Sequence, residues 1–182
     1  VFSLKEMHSL KWKLKPNKLG YMDGNEIIPG LILCDVTNAM NKELHKYFNV
    51  NSVLSILTES QLNVHDTFPT FLNNHGISIN KGNWLMYNFE DAFKGNDNIN
   101  EYFNNGADFI HKYRQLNGWY NDNNINNNDD NKCFTLVHCW RGASRSPSMI
   151  VAYLIKYQNM TTDDGIQYIK QIRKIVNPKP FL

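Results

Sequence analysis

VHCWRGASRSPS, residues 137–148, is an apolar strand ending in a cysteine, followed by a loop of small residues, an arginine six positions after the cysteine, and Ser-Pro. The run CFTLVH (133–138) before the loop has the β-rich apolar character of a buried strand, and PSMIVAYLIKYQ (147–158) after it is helical, with Pro147 suited to a first helical turn. Outward from this junction, GLILC (30–34), SVLSIL (52–57) and NWLMYNF (83–89) read as further strands. AMNKELHKYF (39–48) sets Met40, Leu44, Tyr47 and Phe48 at helical spacing. INEYFNNGADFIHKYRQL (99–116) predicts an amphipathic helix with Tyr102, Phe103, Phe109, Ile110 and Tyr113 on one broad face. TDDGIQYIKQIRKIV (162–176) predicts a last helix, with Thr161 or Thr162 as its N-cap. Strands alternating with crossover-length helices predict an α/β fold: a central, mostly parallel sheet of four to five strands flanked by helices. Sites in such sheets gather at the carboxyl ends of strands, where Cys139 stands.

Composition narrows the function classes. A chain of 182 residues that is 42% hydrophobic holds one domain with a substantial core and has no room for a second of ordinary size. A net charge of +2 gives no electrostatic case for nucleic acid or membrane as the main partner. The local excess is at residues 1–18, where Lys5, Lys11, Lys13, Lys15 and Lys18 face one acid, Glu6. Leu10, Trp12 and Leu14 interleave with these lysines, which fits either a docking tail or an edge strand over the core. Residues 1–26 are read as a basic N-terminal extension and 27–182 as the folded domain. Three cysteines without CxxC spacing, and histidines without zinc-ligand spacing, support neither a disulfide framework nor a metal site. With no run of about 18 apolar residues and no signal-peptide pattern, the expectation is an intracellular protein without membrane insertion.

The segment 117–132 holds eight asparagines and three aspartates in sixteen residues, a composition that cannot bury enough apolar surface to order itself. It reads as a flexible insertion. It enters the strand at Cys133, a strand length of roughly 20 Å from the chemistry after His138, and so emerges at the opposite edge of the sheet.

The 139–145 loop carries the chemistry. A thiolate is the nucleophilic form of cysteine, and a helix N-terminus with a nearby guanidinium favours it. Gly142 and Ala143 are small enough for consecutive N–H groups to curl inward as an anion nest, and the planar fork of Arg145 can hold two phosphoryl oxygens. Nest, fork and nucleophile together describe a site that attacks phosphate. A cysteine ending a buried strand is usually a small core residue, but such a residue needs neither this loop nor this arginine. Cys34 and Cys133 read as inert, and His8, His45, His65, His75 and His111 as surface or packing residues.

HCWRGASRS resembles the His-Cys-(five residues)-Arg-Ser/Thr signature of the cysteine-dependent protein phosphatases, and its surroundings resemble the dual-specificity branch. The likeness runs from IIPGLILCDVTNA (27–39) through SVLSIL to MIVAYLIKYQNMTTDDGIQYIKQIR (149–173) and NPKPF (177–181). It implies that Cys139 attacks phosphorus, while Arg145 and the backbone of Trp140, Arg141, Gly142, Ala143 and Ser144 hold the phosphoryl oxygens. It further implies that Ser146 assists departure of the cysteine sulfur and that His138 orients the loop. The family's general acid matches Asp91, after NWLMYNF, with Glu90 and Asp97 as rivals. Trp140 and Arg141 depart from small loop residues, and fit either a rim that meets the neighbours of a phosphoresidue or outward packing.

The resemblance implies a phosphatase acting on phosphotyrosine and phosphoserine or phosphothreonine of phosphorylated protein substrates. No cofactor, metal or nucleic acid is implied, and the location expected is the cytoplasm, with the nucleus open as well. Two alternatives stand beside it: the same mechanism on a phosphoinositide, a glucan or an RNA 5′ phosphate, and a silent phosphate-binding module. The oligomeric state is not legible.

Overall fold

The computed structural model describes residues 23–64, 66–88, 98–119 and 132–178. Among the described residues five strands form one sheet: β1 (Gly24–Ile28), β2 (Leu31–Cys34), β3 (Val50–Leu57), β4 (Trp84–Asn88) and β5 (Phe134–Cys139). The spatial order is β1-β2-β5-β3-β4. β1 and β2 form an antiparallel hairpin turned at Pro29 and Gly30, and every other pairing is parallel. Gly30 sits at φ +78, where a Cβ would also strike the Trp119 ring at 2.3 Å. β5 therefore lies between β2 and β3 at the centre of the sheet, and its carboxyl end carries the cysteine.

Period-2 alternation splits the strand residues between two cores. Leu31, Leu33, Leu54, Ile56 and Val137 face one side, with Phe103 and Ile110 of α5 (Ile99–Leu116), Met149 and Tyr153 of α6 (Arg145–Gln158) and Ile169 of α7 (Thr162–Ile172). Ile32, Cys34, Val53, Trp84 and Leu136 face the other. There they meet Ala39 of α1 (Val36–Ala39), Leu44 of α2 (Lys42–Tyr47), and Phe68 and Leu72 of α4 (Phe68–Asn74), with α3 (Glu59–Val64) completing the chain order. At about 25 cal/mol per Å², each fully buried Leu, Ile or Phe in these cores contributes roughly 1.5–3 kcal/mol.

The mostly parallel α/β sheet expected from the sequence is present, with five strands. α5 has the expected bounds, and Phe103, Ile110 and Tyr113 are buried. Thr161 is the N-cap of α7, its side chain accepting from Asp164 N. The helix expected over 39–48 is two short helices, because Asn41 caps α2 by accepting from the N–H groups of Glu43 and Leu44. Within α2, Tyr47 lies at the surface at 40% exposure and His45 is turned inward at 3%. β1 begins at Gly24, three residues ahead of the boundary expected at residue 27.

Trp119 and Cys133 close the base of the Asn-rich segment. The indole N–H of Trp119 donates to the Cys133 carbonyl at 2.7 Å, and Lys132 Nζ lies 4.7 Å from the centre of the same ring. The ends of the insertion thus meet at the amino end of β5, the end away from Cys139. Residues 120–131 themselves lie outside the described residues.

Candidate active site

Cys139 is the last residue of β5 and is 2% exposed. Two donors converge on its sulfur: the backbone N–H of Gly142 at 3.2 Å and the hydroxyl of Ser146 at 3.1 Å. Residues 140–144 form the loop, and α6 begins at Arg145, itself buried at 6% exposure.

The loop's geometry follows from where its carbonyls go. Trp140 O accepts from Val36 N at 3.4 Å, and Arg141 O receives Arg173 Nη2 at 3.5 Å. Gly142 O accepts Arg173 Nε at 3.0 Å, and Ala143 O accepts Asn177 N at 2.7 Å. Four consecutive carbonyls are thus bonded outward, to the start of α1 and to the chain leaving α7. In a trans peptide the N–H points opposite its C=O, and no peptide here is cis. The N–H groups of Arg141, Gly142, Ala143 and Ser144 consequently face the other way, and the Gly142 N–H is seen on Cys139 Sγ. That concave set of donors is an anion nest.

Gly142 makes the turn possible. Its φ is +62, and a Cβ there would lie 2.6 Å from the carbonyl oxygen of Cys34, at the end of β2. Arg173, 4% exposed, fixes the outer side. Its fork also binds both carboxylate oxygens of Asp23, at 2.6 and 2.8 Å, and Asn25 Oδ1 at 2.8 Å.

His138 lies on the opposite face of β5 from Cys139, edge-on to Phe68 with ring centres 5.1 Å apart. Its Nε2 pairs with Ser55 Oγ at 2.8 Å, and that oxygen also accepts the Trp84 indole N–H at 3.0 Å. The ring next to the cysteine is thereby held by β3 and β4. Cys34 is fully buried, and burial pushes its thiol well above the usual range, with the negative charge of Asp35 adding to the effect. A thiol held neutral in this way is inert, as expected for it.

The structure therefore brings Cys139, Ser146, Arg145 and the 140–144 backbone together, with His138 behind them. Arg141 is exposed and Trp140 half-buried. Asp91, Glu90 and Asp97 lie outside the described residues. Sequence reasoning missed Arg173, Asp23, Ser55 and Gln61, the last of which accepts from Arg145 Nη1 at 3.0 Å. Among the described residues no group of three or more His, Cys, Asp or Glu side chains could hold a metal ion. No described helix is long and apolar enough to cross a membrane.

The family described as dual specificity phosphatase, catalytic domain, matches residues 120–182. Dual specificity protein phosphatase 1 of Arabidopsis thaliana is 28% identical over 161 residues, which cover 87% of this chain and 66% of that protein. Among solved structures, human tyrosine phosphatase-like serine/threonine/tyrosine-interacting protein is similar with a TM-score of 0.65 at 22% identity, covering 87% of this chain and 89% of that one. DUSP15 is similar with a TM-score of 0.63 at 24% identity, covering 87% and 81%. A cysteine closing the central strand of such a sheet beneath a nest and an arginine fork defines the class of cysteine-dependent phosphatases. Within that class the chain is similar to the dual-specificity phosphatases. It spans 66% or less of the length of the curated relatives it matches.

Proposed function

We propose that this chain is a protein phosphatase that hydrolyses phosphotyrosine and phosphoserine or phosphothreonine through a cysteinyl-phosphate intermediate. The observation that carries the reading is the nest: four outward-bonded carbonyls aim the opposing N–H groups to one side, with Cys139 Sγ in reach of the Gly142 donor. Such a preorganised set of dipoles stabilises the charge spread over equatorial phosphoryl oxygens without reorganising during the reaction. The Arg145 fork supplies the full charge and follows those oxygens into the transition state.

In the first step the Cys139 thiolate attacks phosphorus, an S–P bond forms and the ester P–O bond breaks. The leaving oxygen takes a proton from Asp91, the family's general acid by its position after β4. In the second step water attacks the thiophosphate, Asp91 accepts the water's proton, and the S–P bond breaks to return the thiolate. Ser146, whose hydroxyl is 3.1 Å from Sγ, donates to the departing sulfur. His138, tied to Ser55 and Trp84, positions the cysteine's backbone. The chemistry needs no metal or cofactor.

Arg141 supports a second reading. It is an exposed residue of the loop, a cation suited to an additional negative group such as that of a phosphoinositide. The test is hydrolysis of an aryl phosphate in EDTA by wild type and Cys139→Ser, followed by phosphotyrosine and phosphothreonine peptides and a phosphoinositide. Metal-independent turnover that vanishes in the variant, with peptides preferred, is the expected result. Preference for the lipid selects the second reading, and a folded wild type without turnover would make the chain a phosphate-binding module.

A further inference from the structure

Arg173, the residue at which α7 ends, belongs to no part of the signature, yet it grips the loop that does. All five N–H donors of its guanidinium are used. Nη1 donates to Asp23 Oδ1 at 2.6 Å and to Asn25 Oδ1 at 2.8 Å, while Nη2 donates to Asp23 Oδ2 at 2.8 Å and to Arg141 O at 3.5 Å. Nε donates to Gly142 O at 3.0 Å. The fork lies close over Gly142, where a Cβ would stand 3.0 Å from Nη2. One end of the guanidinium therefore holds the start of β1, and its Nε and Nη2 edge holds two successive peptides of the loop.

Those two peptides carry donors of the nest. Arg141 O and Gly142 N share one peptide, and Gly142 O and Ala143 N share the next. A planar trans unit gripped at its carbonyl has its N–H aimed the opposite way, and the Gly142 N–H reaches Cys139 Sγ at 3.2 Å. A lysine ammonium would keep the positive charge, but it lacks the planar fork that meets a carboxylate end-on and two carbonyls along its side. Asp23 and Asn25 set the angle of that fork. The backbone N–H of Asp23 donates to Asn38 Oδ1 at 3.0 Å, so the carboxylate can be removed without releasing the chain. A separate tie joins α7 to β1 without passing through the loop: the Tyr168 hydroxyl donates to Ile27 O at 2.8 Å.

We infer that Arg173 is a positioning residue for phosphate binding: aimed by Asp23 and Asn25, it fixes the peptides joining Arg141 to Gly142 and Gly142 to Ala143 with their N–H groups toward the phosphoryl site. The inference rests on the proposed function for its substrate class. It is tested by inorganic phosphate protecting Cys139 from alkylation by iodoacetamide, read below the melting range of each variant and beside thermal melting and aryl phosphate turnover. Arg173→Lys should weaken phosphate about tenfold, the lower end of what one hydrogen bond to a charged group contributes. It should also lower kcat while raising KM, because the same donors serve the bound ester and the transition state. Asp23→Ala should weaken phosphate severalfold. Tyr168→Phe removes the other tie between α7 and β1, and should lower the melting temperature with phosphate affinity, kcat and KM unchanged.

Wild-type phosphate affinity in either Arg173→Lys or Asp23→Ala overturns the inference. The second variant, altered at a side chain 53% exposed, decides the matter if the first does not fold. Tyr168→Phe weakening phosphate as much as Arg173→Lys also overturns it, since the effect would then be a general loosening of α7. A wild type that binds phosphate without turning over esters, and loses affinity in Arg173→Lys and Asp23→Ala, retains this inference while refuting the phosphatase reading. Turnover by the wild type with unchanged affinity in Arg173→Lys does the reverse, and a wild type that neither binds phosphate nor turns over esters overturns both.

Discussion

Replacing Gly142 by alanine tests the nest at its tightest point. The residue sits at φ +62, a conformation that costs an L residue about 1–2 kcal/mol. The added Cβ would stand 2.6 Å from the oxygen and 2.8 Å from the carbon of the Cys34 carbonyl. Those are backbone atoms of β2, held between β1 and β5, and cannot turn aside as a side chain would. Relieving the overlap costs about 1–3 kcal/mol more, against a gain of about 0.4–1 kcal/mol from stiffening the unfolded chain. The net destabilisation is about 1–4.5 kcal/mol, a fall in melting temperature of at least about 2 °C for a chain of this size. The loop can escape only by moving off β2, which lengthens the bonds from Arg173 Nε to Gly142 O and from Gly142 N to Cys139 Sγ. Misplacing such donors by about 1 Å costs on the order of a hundredfold in rate. Thermal melting, phosphate protection of Cys139 and aryl phosphate turnover read these effects separately. A Gly142→Ala protein that melts within about 1 °C of wild type and binds phosphate equally well would refute the reasoning.

Three further outcomes are expected. Excising residues 120–131 and joining the ends by a short glycine linker should leave catalytic constants nearly unchanged, since Trp119 and Cys133 already meet at the far end of β5. A rate loss of about an order of magnitude (1.4 kcal/mol of barrier) would show that the insertion reaches the site. Asp91→Asn should cut turnover strongly with an ordinary phosphate ester and much less with a very good leaving group; equal losses on both would remove Asp91 as the general acid. His45 is lowered to about 4, chiefly by burial, with a smaller contribution from its electrostatic coupling to His75; the bond between its Nε2 and the Ala39 carbonyl works in the opposite direction. Since its folded value lies below the ordinary 6.5, the unfolded chain takes up the proton first. Stability is present above about pH 6.5 and is lost as pH falls towards 4, by on the order of 3 kcal/mol. Urea melts at pH 7 and 4.5 should show a shallower pH slope for His45→Gln than for wild type, and identical slopes would contradict this.

What was legible in the sequence was local. Cys139, Arg145 and Ser146 share one strand–loop–helix junction, so spacing alone reveals the site. The 18-residue helix at 99–116 carries an unbroken apolar stripe, and its bounds follow from that. The split between α1 and α2 escaped because Asn41 reads as one more polar position in a helical pattern, while its side chain in fact caps a new start. β1 escaped because GNEII is short and half polar and becomes a strand only through pairing with β2. The parts that brace the loop are distant in sequence: Gln61 lies 84 positions from Arg145, Ser55 83 from His138, and Arg173 31 from Gly142. The T-x-x-Q spacing at 58–61 is a readable cap signature, but nothing in it says which side chain stands above the cap.

The central claim is that Cys139 becomes covalently phosphorylated during turnover. The most direct measurement is acid quenching of the protein within one turnover of an aryl phosphate, followed by mass spectrometry of the peptide spanning residues 133–145. The account predicts one added phosphoryl group on Cys139, accumulating further when Ser146→Ala slows release of the sulfur, and absent in Cys139→Ser. Turnover at full rate with that peptide unmodified in both wild type and Ser146→Ala would contradict it.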